Sequence, residues 1–122
     1  MAVAVVEPRL SVYSWPANRT DGWHDRATAI PEGLRFRLDP TIDVDSLNLT
    51  RTGKIVARAL QTYGMVVRDN AGAVVFFAEN FEAEGRADPY PSLFGVPSYK
   101  VLEGIPLHRL LALPLHHGQN GE

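Results

Sequence analysis

Residues 54–78 constrain this chain more than any other stretch, because they hold a helix, a stop and two strand-like runs in immediate succession. Lys54 to Tyr63 contains Ala57, Arg58, Ala59 and Leu60, all good helix formers. Ile55, Val56, Ala59, Leu60 and Tyr63 recur at spacings of three and four, which predicts one apolar face. Thr50 or Thr52 offers the side-chain oxygen an N-cap needs, and Gly64 supplies the left-handed residue on which helices commonly end. Met65 to Asp69 and Ala73 to Ala78 then flank Asp69-Asn-Ala-Gly72 with β-branched and aromatic residues. That arrangement predicts a central hairpin, 65–69 against 73–78, with Gly72 at positive φ.

The other runs are shorter. Residues 2–6 are apolar and valine-rich up to Glu7 and Pro8, as expected of a strand covered on both faces. Leu10, Val12 and Trp15 form a second extended piece. Leu34 to Leu38 alternates apolar and basic residues, so Leu34, Phe36 and Leu38 face inward. Thr41 to Leu49 reads as an irregular connection that still feeds the core, and Ser98 to Glu103 as one helical turn. Leu107 to Leu113 reads as a last strand. Ala17–Gly33 and Phe81–Pro97 are long loops, and loops of that length commonly carry function. The sum is a β-rich α+β domain over residues 1–115, with a polar tail from His116 to Glu122. A mixed or antiparallel sheet, or partial sandwich, surrounds one main helix at about 54–63.

Composition excludes several functions. With 45% hydrophobic and 21% charged residues, the 122-residue chain has the make-up of one folded domain. A formal charge of −2, with both signs intermixed, lacks the basic footprint that nucleic acid requires. The absence of cysteine rules out disulfides, thiolate zinc sites and cysteine nucleophiles. The apolar start at Met1–Val6 is too short for a signal peptide or a membrane helix, so membrane insertion is not expected.

Candidate chemistry clusters in the loops. Asp21, His24 and Asp25 could combine as metal ligands, or as an imidazole oriented by a carboxylate. Asp39, Asp43 and Asp45 offer oxygens of the kind calcium takes, but without the EF-hand spacing. Glu79 and Asp88, among Glu82 and Glu84, are the carboxylates a glycosidase would pair, with Glu79 at the end of a strand expected to be buried. Trp15, Trp23, Tyr90 and Phe94 are loop aromatics that can stack on sugar rings or pack on a partner subunit. Against each stands an ordinary use: solvated turns, helix-capping acids and aromatics that close the core. Neither a phosphate loop nor a nucleophile elbow is present, and no cofactor is expected.

The segments VYSWPANRTDG, AIPEGLRFRLDP, ARALQTYGMVVRDNAGAVVFFAEN and DPYPSLFG carry a resemblance over most of residues 11–95. They resemble the C-terminal part of a group of uncharacterised actinobacterial extracytoplasmic proteins with a β-sandwich-like appearance. The longer proteins' N-terminal half has no counterpart here, which implies either that the chain folds alone with rearranged edges or that its open sheet edge is covered by other subunits. The strands at 2–6 and 107–113 and the 81–97 loop are the expected contacts. The resemblance implies a non-enzymatic structural or recognition module at a virion or cell surface, such as a phage minor tail protein, with possible contact to cell-envelope polysaccharide. The alternatives are a glycan-processing enzyme or a degenerate fragment of one, and a cytoplasmic interaction domain.

Overall fold

The computed structural model describes residues 1–121 as an α+β fold built on one mixed, open sheet. Its elements are β1 (Ala2–Val5), β2 (Arg35–Leu38), α1 (Arg51–Thr62), β3 (Met65–Asn70), β4 (Val75–Phe76), α2 (Tyr90–Phe94) and β5 (Leu110–Ala112). Single 3-10 turns occur at Val44–Ser46, Glu82–Glu84, Ser98–Lys100 and Leu107–Arg109. The strand order is β4-β1-β3-β2-β5. β1 and β3 are parallel, and the other three pairings are antiparallel.

β1 has the inner position its composition demands. Val3, Ala4 and Val5 are all buried, so both faces of the strand are covered. The Val3 side joins Leu38, Leu60, Val67 and Ile105 in the core, where each large aliphatic side chain contributes about 1.5–3 kcal/mol through burial. Because β3 and β4 flank it, β1 is not a free edge, contrary to expectation.

The same placement overturns the predicted hairpin. β3 runs on through Asn70 and pairs with β1, while β4 pairs with the opposite side of β1, so 65–69 and 73–78 do not meet. The turn residues Ala71–Val74 instead pass the end of β1, where the Ala71 N–H donates to the Val5 carbonyl at 2.9 Å. Gly72 is not at positive φ. A strand with two apolar faces competes for the middle of a sheet, and the half-exposed Val75–Phe76 run is left at the rim.

α1 begins earlier than expected and rolls. The Thr50 hydroxyl caps it by accepting the Gly53 N–H at 3.0 Å, and Gly64 follows its end at φ 68°. Its inward residues are Gly53, Val56, Ala57 and Leu60, spaced three, one and three apart. Gly53 is decisive, because a Cβ there would stand 2.8 Å from the Val101 carbonyl oxygen. The close approach turns Ile55 and Tyr63, placed on the apolar face by spacing alone, outward to solvent. β5 is shorter than the predicted 107–113 strand because Leu107–Arg109 forms a 3-10 turn. The 81–97 loop contains a 3-10 turn and α2. The Leu10–Trp15 piece makes an isolated bridge, Tyr13 to Glu32.

Candidate functional site

A cavity of about 800 Å³ lies where the Pro16–Asp21 loop crosses the sheet beside Val66–Asp69. Three carboxylates converge in it: Asp21 from the loop, Glu32 from the chain entering β2, and Asp69 from β3, each offering an oxygen within 4.8 Å of the others. Glu32 is buried, and its carboxylate accepts the backbone N–H of Asp21 at 3.2 Å. Burial, reinforced by a hydrogen bond and repulsion from the Asp21 carboxyl, pushes the Glu32 pKa above the usual carboxylate range. The Thr20 hydroxyl and the Asp21 N–H act in the opposite sense without cancelling the rise.

Local geometry explains the convergence. Gly33, at φ 82°, brings the Glu32 backbone against Ser14, whose N–H donates to the Glu32 carbonyl at 2.7 Å. The Thr20 hydroxyl accepts the Gly22 N–H at 2.9 Å and folds the Asp21 turn over the cavity. Arg19 and Arg68 also line it. Chemically, such a set can share a proton between Glu32 and Asp21, or supply three of the six to eight oxygens a hard cation takes.

The expected metal set is not assembled. Asp21 belongs to the cavity, whereas His24 and Asp25 do not join it. The His24 Nε2 lies 3.6 Å from Glu7, its Nδ1 accepts the Arg26 N–H at 3.2 Å, and Asp25 stands 3.9 Å from that nitrogen. The carboxylate that faces the imidazole is thus Glu7. Asp39, Asp43 and Asp45 also remain apart in their chemistry. Asp39 accepts from Thr41 and Arg109, Asp43 accepts the Asp45 N–H, and Asp45 pairs with Arg58.

Glu79 and Asp88 do line one cavity, of about 230 Å³, together with Tyr90. Glu79 is exposed and paired with Arg86 at 2.8 Å, so the buried strand end expected for it is absent. Asp88 accepts the Tyr90 N–H at 2.9 Å, a turn-capping use of the carboxylate.

The four aromatic candidates divide into different roles. Tyr90 and Phe94 stack with ring centroids 5.2 Å apart, Phe81 meets Tyr90 edge-on, and the pair borders a cavity of about 520 Å³. Trp15 lies beneath the Arg35 guanidinium, and the Trp15 backbone N–H donates to the His116 Nδ1 at 3.1 Å. His116 also donates its N–H to the Ser14 hydroxyl, so the first residue of the expected polar tail docks on the domain. Trp23 is exposed beside His24.

Two sheet edges complete the inventory. At β4, Val74, Val75 and Phe77 are exposed next to a groove of about 470 Å³ lined by Phe76, Tyr99, Leu102 and Leu107. At β5, Leu111 is 48% exposed. Among the described residues, neither β4 nor β5 has a strand on its outer side.

Comparison with protein-family models, with curated proteins and with solved structures found no match to this chain. No helix is long and apolar enough to cross a membrane among the described residues.

Glu32 and Asp69 were missing from the sequence-based candidates. Glu32 sits in a Pro-Glu-Gly turn that reads as surface, and its burial depends on Gly33 approaching Ser14 from far along the chain. A lone acid between proline and a glycine that must take positive φ was the available signal.

Proposed function

We propose that this chain is a non-enzymatic structural or recognition module that takes protein partners along the open edges of its sheet. The observation that carries this reading is the pairing of unpartnered strand edges with exposed apolar side chains at β4 and β5. Native proteins usually blunt such edges with charge, proline or a covering segment. Here Val74, Val75 and Phe77 line one edge and Leu111 the other. A surface assembly such as a phage tail is the setting suggested by the sequence resemblance, and the Trp23 and Tyr90–Phe94 surfaces are the proposed contacts to envelope glycans.

Amide exchange on the dilute chain tests the edge reading. The N–H groups of Phe76 and Ala112 should exchange nearly as fast as in an unstructured peptide, while those of β1 are protected. Slow exchange at these two positions in the monomer would mean that the edges are closed, and the reading would fail.

A second reading, glycan processing, is favoured by one observation: a buried carboxyl with a raised pKa in the cavity of about 800 Å³. It assigns Glu32 as proton donor and Asp21 as its partner, in place of Glu79 and Asp88. Hydrolysis of actinobacterial wall polysaccharide that disappears in Glu32→Gln but survives in Glu79→Gln would establish it. Absence of turnover by the wild type would count against it.

A further inference from the structure

The two edges have matching backbone patterns. Phe77 donates its N–H to the Ala2 carbonyl at 3.1 Å, and Val3 stands opposite Phe76. Alternation along an antiparallel pair then turns the Phe76 N–H and C=O away from β1, toward the open side. At the other end of the sheet, Leu113 donates to Arg35 and Asp39 donates to Arg109, with Leu110 opposite Leu38 and Ala112 opposite Phe36. The same alternation turns both polar groups of Ala112 and the Leu110 carbonyl outward, while the Leu110 N–H is taken by the Leu107 carbonyl.

Strand directions are also compatible. β1 and β3 run one way, β4 and β2 run the other, and β5 runs with β1. If a second copy is set beside the first in the same orientation, its β4 meets β5 antiparallel. The sheet continues with its helical layer on one side, and two exposed apolar edges are covered together.

Charge selects this arrangement over edge-to-like-edge pairing. Residues 79–103, which follow β4 and send Ser98, Tyr99, Leu102 and Glu103 to its groove, contain Glu79, Glu82, Glu84, Asp88 and Glu103 against Arg86 and Lys100. Residues 107–117 contain Arg109 and three histidines and no acid. Arg37 stands opposite Leu111, one strand in from the β5 edge. Arg109 is partly neutralised by Asp39, and Arg86 answers Glu79 and Glu84, but the difference in sign between the ends remains. Two β4 edges brought together would oppose acid to acid, whereas β4 against β5 brings acid toward base.

We infer that the occupant of the β4 edge is the β5 strand of a second copy of this chain, added antiparallel and head to tail. This rests on the proposed edge-recognition function and specifies its partner. A heterologous contact of this kind leaves one β4 and one β5 edge free at the ends, so copies add into rows that grow with concentration.

Sedimentation of two single-edge variants tests the inference. Val75→Lys charges the β4 edge and leaves β5 free, and Leu111→Lys does the reverse. Both side chains are exposed in the single chain. Circular dichroism and thermal unfolding establish that each variant folds, and Phe77→Lys with Ala112→Lys provides a second pair of exposed sites. The wild type should grow in mass beyond a dimer as its concentration rises. Each variant should remain monomeric, and their equimolar mixture should double in mass through the one intact β4–β5 interface. A wild type that stays monomeric to high micromolar concentration overturns the second copy as partner, while fast exchange at the Phe76 and Ala112 amides would preserve edge recognition. A closed dimer that persists in Leu111→Lys, or variants that fail to complement on mixing, also overturns it.

Discussion

The Glu32 carboxylate reaches back eleven residues to hold the Asp21 N–H at 3.2 Å, in the cavity lined by the Pro16–Asp21 loop. Its raised pKa means that the folded chain binds this proton more tightly than the unfolded chain does. Stability attributable to this group should therefore fall as pH rises from the ordinary glutamate value, near ~4.3, through the raised folded value. Glu32→Gln keeps an acceptor for Asp21 and removes the titration. In denaturant melts, its stability relative to wild type should improve as pH rises above the ordinary glutamate value. A constant difference across that range would contradict the assignment.

Asp39 should show the opposite trend. The Thr41 hydroxyl first, and then Arg109, hold its pKa down to about 2. Its contribution is therefore present above the ordinary aspartate value, near ~3.9, and is lost as pH falls through the lowered one. Asp39→Asn should be less stable than wild type at neutral pH, with the deficit shrinking on acidification. The same pair of unfolding series measures it.

Glycine substitutions separate the observed turn geometry from the predicted hairpin. At Gly64 a Cβ would lie 2.4 Å from the Phe36 carbonyl oxygen, and at Gly33 it would lie 1.7 Å from that of Ser14, both at positive φ. Alanine at either should cost more than about 1 kcal/mol in chemical denaturation. A Cβ at Gly72 meets nothing within 4 Å, so Gly72→Ala should stay within about 0.5 kcal/mol of wild type. An equal loss at Gly72 would restore the hairpin turn.

The orientation of α1 is testable in the same way. Leu60 is fully buried, and Leu60→Ala should destabilise by about 2–5 kcal/mol. Ile55→Ala and Tyr63→Ala should each change stability by no more than about 0.5 kcal/mol, because both side chains face solvent. A large loss at Ile55 would return it to the core face.

Local signals in the sequence specify the ends of its elements, whereas the competition between distant strands leaves no local signal. The α1 cap at Thr50, the stop at Gly64, the inward Leu38 and the two-faced apolar β1 all follow from short-range chemistry. The order of strands does not, because Asp69–Gly72 has the same composition whether β4 folds back on β3 or passes the end of β1. The outcome turns on Val3–Val5, more than 60 residues earlier, which cover both their faces only from an inner position. The roll of α1 was hidden for a similar reason, since the contact at Gly53 is with Val101. Of the cavity acids, Asp21 was identified through its polar neighbours. Glu32 and Asp69 were not, since only the folded sheet brings the three together.

The sheet order underlies both open edges, and nuclear Overhauser contacts between backbone Hα protons test it most directly. Val3 and Phe76 face each other as a non-hydrogen-bonded antiparallel pair, the geometry that brings two Hα protons closest. The chain should show a strong Hα–Hα contact between Val3 and Phe76, with none linking residues 65–69 to 73–78. Strong Hα–Hα contacts between those two segments, and none from Val3 to Phe76, would contradict the strand order and the exposed β4 edge with it.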